Sequence, residues 1–223
     1  MLFRSGAVVL FHGQHLVGGY LGVDVFFVLS GFLITSLLLA ESEAEGSVGL
    51  GGFWSRRARR LLPALGVFLL GVALYAWLLA PATELDAIRR DGLATIGYVA
   101  NWRAILAHQD YWAIFRSASP LEHTWSLSIE EQFYILWPLV FVGILAVARR
   151  RIAPAVLVTC VVLAAGSAAL MVTLYEPGNT IRAYYGTDTR VGAILLGAAL
   201  AAWTRWRGPI ASRTGRLALE VAG

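Results

Sequence analysis

The sequence predicts an all-α fold, a polytopic bundle of transmembrane helices with a re-entrant or interfacial segment. Composition gives the class. Of 223 residues, 58% are hydrophobic and 14% charged, with a mean hydropathy of +0.67, whereas a soluble domain is roughly 25% charged. Uncharged runs at 61–83 and 152–175 exceed the about 20 residues that cross a hydrocarbon core. All 18 basic residues are arginine, set in short clusters between apolar runs. That is the pattern of membrane topology signals and excludes a nucleic-acid interface. One membrane domain accounts for the length.

Each element follows in order. Residues 3–17 form a first helix, broken only by His12 and His15, and no small-residue cleavage site follows the apolar stretch at 1–11. Residues 23–40 form the next, and SEAEGSVGLGG after it reads as a flexible link. A helix is expected at 61–81, with Pro63 where a helix can begin. Further helices are expected at 125–148, 152–175 and 189–204, making about six spans. The arginine clusters at 56–60, 149–151 and 205–216 belong in the cytoplasm. The N-terminus is then cytoplasmic, the helices at 23–40, 125–148 and 189–204 run inward, and those at 61–81 and 152–175 run outward. The stretch 82–124 therefore begins and ends outside. Its apolar part, GLATIGYVANW, is too short to span, so a re-entrant segment is expected near 91–108. Trp102, Tyr111, Trp112 and Trp125 suit a headgroup-level aromatic belt. The lone Cys160 lies in an apolar run and reads as a buried structural thiol.

Ionisable residues at membrane depth are functional candidates because isolation there is costly. In HTWSLSIEEQFYILWP, Ser128 and Glu131 have the spacing of a capping box, a structural reason for Glu131. Glu130 lacks that reason and shares a face with Tyr134 and Trp137. His12 titrates near neutrality and suits proton transfer from a hydroxyl or relay of the acyl group, with Asp24 or Glu130 as the catalytic partner that orients it. Asp24, in GVDVFFVLSGFLIT, needs a partner, and Asp188 and Arg190 lie at the same outer level, whereas Gly22, Ser30 and Gly31 read as close-packing residues. His123, Trp125, Asp188 and Arg190 are the candidate substrate contacts. The cluster Arg56, Arg57, Arg59, Arg60 serves equally as a topology signal or as a cradle for an anionic ligand's phosphates. No GxSxG, Walker loop, HExxH or CxxC is present, so hydrolase, nucleotide-pump and zinc-enzyme readings lack a motif. Two alternatives remain from these residues: a proton-coupled secondary transporter relaying through Asp24, Glu130 and His12, or a non-catalytic fragment.

Four stretches together, GVDVFFVLSGFLIT, RRARRLLPAL, HTWSLSIEEQFYILWP and TDTRVGAILLGA, resemble the acyltransferase 3 family in order and spacing. The chain is similar to roughly the first two thirds of that family's ten-helix domain. The resemblance implies a multi-pass enzyme of a bacterial-type cytoplasmic membrane, in contact with lipid. It takes an acyl group, usually acetyl, from cytoplasmic acyl-CoA, without a metal, and gives it to a hydroxyl of a carbohydrate or lipid-linked glycan of the envelope. His12 then matches the essential histidine of the first helix, Glu130 the carboxylate of the fifth, and Arg57 and Arg60 the basic cluster. The sequence departs from the pattern at Met1, where the family carries arginine, and Arg4 is turned away from that face. A chain truncated or spliced at both ends is the expectation that follows.

Overall fold

In the computed structural model, residues 21–108 and 119–208 are described. His12, Met1, Arg4, Tyr111, Trp112 and the last two arginines lie outside them. Among the described residues the elements are helical: α1 (Leu21–Glu45), α2 (Leu50–Leu78), α3 (Leu85–Ile96), α4 (Ala100–Leu106), α5 (Thr124–Ala148), α6 (Ile152–Thr173), α7 (Ile181–Tyr185) and α8 (Thr187–Arg207). Three stretches among the described residues are long and apolar enough to cross a membrane: Gly22–Glu45, Leu50–Leu78 and Thr124–Thr173. The last comprises α5 and α6, joined by a 3-10 turn at Arg149–Arg151.

Side-chain bonds fix the relative directions. Trp137 Nε1 on α5 donates to Thr35 Oγ1 on α1 at 3.0 Å, and Ser30 on α1 meets Glu130 on α5. The residue numbers rise together, so these helices are parallel. Asp24 meets Arg190 and Glu43 meets Arg205, so α8 runs with them. Trp54 bonds to Tyr134 and Arg57 to Glu131, so α2 runs opposite. Ser167 on α6 donates to Thr189 O at 3.0 Å and accepts from Gly192 N at 3.1 Å, at the far end of α6 and the near end of α8, so α6 is antiparallel to it. These directions agree with those read from arginine placement.

The core lies where α1, α5, α6 and α8 meet, around Phe27, Leu38, Ile129, Phe141, Val156 and Ile194. Cys160 is fully buried there, as expected. Two glycines set the α1–α8 distance. A Cβ on Gly31 would stand 1.8 Å from Ile194 O, and one on Gly197 would stand 1.8 Å from Val28 O. The backbones touch reciprocally, which only glycine permits. Because α8 is enclosed this way, small alanines at 198, 199, 201 and 202 are buried, and its sequence need not be as apolar as a lipid-facing span.

Three local expectations are corrected. The linker is short: α1 continues to Glu45 and α2 begins at Leu50. The turn between them is pinned by Gly49 N donating to Glu41 Oε1 at 2.7 Å and by Arg149 Nη2 donating to Gly46 O at 3.1 Å. Pro63 does not begin a helix but lies inside α2. The arginine cluster is therefore helical, as its good propensity allows. Finally, α5 begins at Thr124, so Ser128 is interior. Its hydroxyl donates to Thr124 O and accepts from Ala100 N. No capping box exists, and Glu131 has a different partner.

The segment 82–123 holds α3 and α4, of 12 and 7 residues. At 1.5 Å per residue neither reaches the roughly 30 Å of a bilayer core. A kink at Tyr98, with φ of 53°, separates them. A closed hydrogen-bonded ring holds α4 in place. Asn101 Nδ2 donates to Thr187 Oγ1 at 2.9 Å, Thr187 Oγ1 donates to Gln132 Oε1 at 2.6 Å, and Gln132 Nε2 donates to Asn101 Oδ1 at 3.0 Å. The remaining amide protons go to backbone, Asn101 to Tyr185 O at 3.0 Å and Gln132 to Tyr98 O at 2.6 Å. The ring ties α4, α5 and the α7–α8 junction at one level.

Candidate functional site

The site builds from two tiers. The inner tier surrounds Glu130, which is 3% exposed. Ser30 and Tyr134 both donate their hydroxyls to Glu130 Oε1, and Arg57 Nη2 lies 3.6 Å from the same oxygen. Two hydroxyl donors and a guanidinium at ion-pair distance thus surround one carboxylate oxygen. The neighbouring Glu131, 5% exposed, takes Arg57 Nε at 3.2 Å and Nη2 at 2.9 Å on its Oε1. The Arg57 guanidinium also lies 3.6 Å from the centroid of the Tyr134 ring, within cation–π range. Trp54 Nε1, donating to Tyr134 O at 3.1 Å, anchors α2 against α5 here. Two buried carboxyl groups thus face one guanidinium.

The outer tier lies about 9 Å along α1, six residues at 1.5 Å each. Asp24 Oδ1 pairs with Arg190 Nη2 at 3.0 Å. Arg190 lies over Tyr184 at 5.2 Å and near Trp125 at 5.9 Å. Trp125 is 3% exposed and meets Phe27, Tyr184 and Tyr185 at centroid distances of 6.4, 5.0 and 5.4 Å. Beside it Arg182 holds Asp188 through bonds of 2.9 and 2.6 Å and covers Trp102 at 5.2 Å. Those two bonds hold the Asp188 carboxyl below the usual aspartate range. Near α5's start, burial and then the neighbouring Asp91 push the Glu122 carboxyl up.

Several of the candidate residues thus converge. Asp24 finds Arg190, while Asp188 pairs with Arg182. Glu130 shares its site with Glu131. Trp125 sits in the outer tier, and His123 ends the turn before α5, at the rim of an apolar slot lined by Leu61, Leu65, Phe68 and Leu127. The arginine cluster divides: Arg57 points at the carboxylates, Arg56 reaches Glu41 at 3.5 Å, and Arg59 donates to Ser55 O at 3.3 Å. Arg56, Arg59 and Arg60 are exposed. His12 lies outside the described residues. Sequence reading missed Ser30 as a carboxylate donor, Tyr184 and Arg182 in the outer tier, and the Asn101–Gln132–Thr187 ring. The available signal was a polar residue in each apolar context. Among the described residues no group of three or more metal-ligating side chains is placed to hold a metal ion.

The model of an acyltransferase domain matches residues 2–216. The peptidoglycan O-acetyltransferase OatA of Listeria monocytogenes is 41% identical over 230 residues, covering 99% of this chain and 36% of that protein. "Putative peptidoglycan O-acetyltransferase YrhL" of Bacillus subtilis is 44% identical over 186 residues, covering 82% of this chain and 29% of its own length. The chain spans about a third of the length of these curated relatives. No solved structure matches.

Proposed function

The chain belongs to the acyltransferase 3 family, and from that premise we propose that it transfers an acetyl group from cytoplasmic acyl-CoA to a hydroxyl of a cell-envelope carbohydrate. The names of the similar proteins support the acceptor class, since the Listeria relative is called a peptidoglycan O-acetyltransferase. The transporter alternative gives way to the family match.

One observation carries the reading: a buried carboxylate, Glu130, held by Ser30, Tyr134 and Arg57 beside a second carboxylate. Transfer requires the acceptor hydroxyl to lose its proton as its oxygen attacks the thioester carbonyl. The carbon–sulfur bond then breaks, and the proton ends on the departing thiolate. His12 is the base by the family's motif. A carboxylate that orients the base also stabilises the imidazolium it becomes, because an opposite charge favours the charged form. Glu130 is therefore an electrostatic and orienting partner of the base. Exposed Arg56, Arg59 and Arg60 are the donor-phosphate ligands. In the outer tier, Tyr184 and the Asp24–Arg190 pair offer an aromatic ring and polar groups to a sugar, backed by the buried Trp125, with Asp188 and His123 flanking. Asp24 stands with Arg190 in the outer tier, among the groups proposed for the acceptor.

The test is incorporation of labelled acetyl from acetyl-CoA into envelope glycan by membrane vesicles. Incorporation that depends on the protein and is lost in His12→Ala supports the proposal. Equal incorporation by the His12→Ala protein contradicts it.

A further inference from the structure

The arginine segment of α2 reads as a single basic patch, yet its four side chains are placed for two tasks. At about 100° per residue, Arg59, Arg56 and Arg60 fall within roughly one 100° arc of the helix, and Arg57 lies about 60° beyond its edge. Exposure follows the same division. The Arg56 side chain is 62% exposed and that of Arg57 24%. Arg59 and Arg60 are exposed as well.

We infer that Arg57 is a positioning residue for the paired carboxylates Glu130 and Glu131, and that it does not ligate the acyl donor's phosphates. The inference rests on the proposed acyl transfer for its catalytic part only. Its guanidinium is already committed on three sides: Glu131 Oε1 takes Nε and Nη2, Glu130 Oε1 lies 3.6 Å from Nη2, and the Tyr134 ring covers its face at 3.6 Å. Swinging it out to a phosphate would leave two adjacent carboxylates buried without a counter-ion, an arrangement far costlier than leaving the phosphate to three exposed neighbours. Tyr134 links the parts. Its ring supports Arg57, its hydroxyl bonds Glu130, and its carbonyl receives the α2 residue Trp54. Arg57 thereby sets which way both carboxylates face. The opposed view, a phosphate ligand, predicts a change in donor affinity, whereas the positioning role predicts a change in turnover.

The experiment compares Arg57→Gln, Arg57→Lys and the triple Arg56→Gln/Arg59→Gln/Arg60→Gln in the full chain. Coenzyme A binding is read by calorimetry in detergent at low salt, and acyl transfer in membrane vesicles. The triple variant is expected to weaken coenzyme A binding by about 100-fold or more, as loss of three charge-assisted phosphate contacts implies. Both Arg57 variants are expected to keep the wild-type dissociation constant within about threefold while kcat falls at least about tenfold, the pattern of a lost transition-state contribution. Arg57→Lys guards against simple misfolding because it keeps the charge. A thermal double-mutant cycle adds a readout independent of activity: Arg57→Gln/Glu131→Gln should melt above Arg57→Gln alone, since the second change removes an orphaned carboxylate. A more than threefold loss of coenzyme A affinity in Arg57→Lys overturns the inference, as do additive losses in the cycle. Failure of the wild-type protein to transfer acyl groups would sink the proposed function instead, and the melting cycle would still decide the role of Arg57.

Discussion

Replacing Thr187 with valine isolates the ring that fixes α4 and the α7–α8 junction to α5. Valine has threonine's shape, so no cavity opens. What is lost is one hydroxyl that accepts from Asn101 Nδ2 at 2.9 Å and donates to Gln132 Oε1 at 2.6 Å. Asn101 is fully buried, so its freed N–H finds no water, and Gln132 Oε1 loses its donor. An unpaired buried group costs about 1–3 kcal/mol, and the two together about 2–6 kcal/mol on the same basis. Hydrogen bonds between membrane helices measure lower, about 0.6 kcal/mol on average, which favours the low end. For a chain of this length each kcal/mol moves the melting temperature by about 2–4 °C. Thermal unfolding of the purified protein in detergent should therefore show Thr187→Val melting at least about 4 °C below wild type. Thr187→Ser, which keeps the hydroxyl, should melt within about 2 °C. A valine variant as stable as wild type would refute the closed ring as a stabilising device.

Three further outcomes are expected. Gly31→Ala would place a methyl 1.8 Å from Ile194 O, so α1 and α8 must part, and the folded yield should collapse with a cost above about 3 kcal/mol. Gly143→Ala, with nothing within 4 Å of the new Cβ, should be neutral in the same expression and melting assay. A cysteine at Ala107 in a protein lacking Cys160 should react with an impermeant thiol reagent from outside, as the non-spanning α3 and α4 require. Labelling only after the membrane is opened would reverse the topology. Finally, Asp188 is held below its ordinary range by Arg182. Its stabilisation is full above the unfolded value of about 3.9 and is lost as pH falls through the lower folded value. Melting followed from pH 6 to 3 should decline less steeply in Asp188→Asn, by an amount typical of a part-exposed pair, up to about 1 kcal/mol.

The long elements were legible because a bilayer demands uninterrupted apolar runs, and the residues 61–83, 132–148 and 152–175 supply them. Relative helix directions were legible because arginine marks the ends of those runs. A close approach at Gly31 was legible, because small residues in an apolar run signal one, but its partner α8 was not. Boundaries were not. The cluster at 56–60 looked like the border of a span, yet arginine propagates a helix well and α2 begins ten residues before Arg60. Glu130 was visible as an anomaly with Tyr134 one turn on, but its environment was not. Ser30 and Arg57 come from α1 and α2, 100 and 73 residues away in sequence. The capping reading of Glu131 failed for a related reason. Local spacing matched a motif, while the real helix start at Thr124 and the partner Arg57 depended on packing. Asn101, Gln132 and Thr187 are ordinary singly, and only folding closes them into a ring.

The central claim is that the buried Glu130 carboxylate serves acyl transfer and not stability alone. The direct measurement is the rate of labelled acetyl transfer from acetyl-CoA to envelope glycan in vesicles carrying Glu130→Gln, a substitution that keeps size and acceptor oxygen while removing the charge. The expected rate is about 100-fold or more below wild type, the scale of a lost contribution to proton transfer, with coenzyme A affinity unchanged and insertion intact. A Glu130→Gln protein that inserts and transfers acetyl at a rate within about threefold of wild type would contradict it.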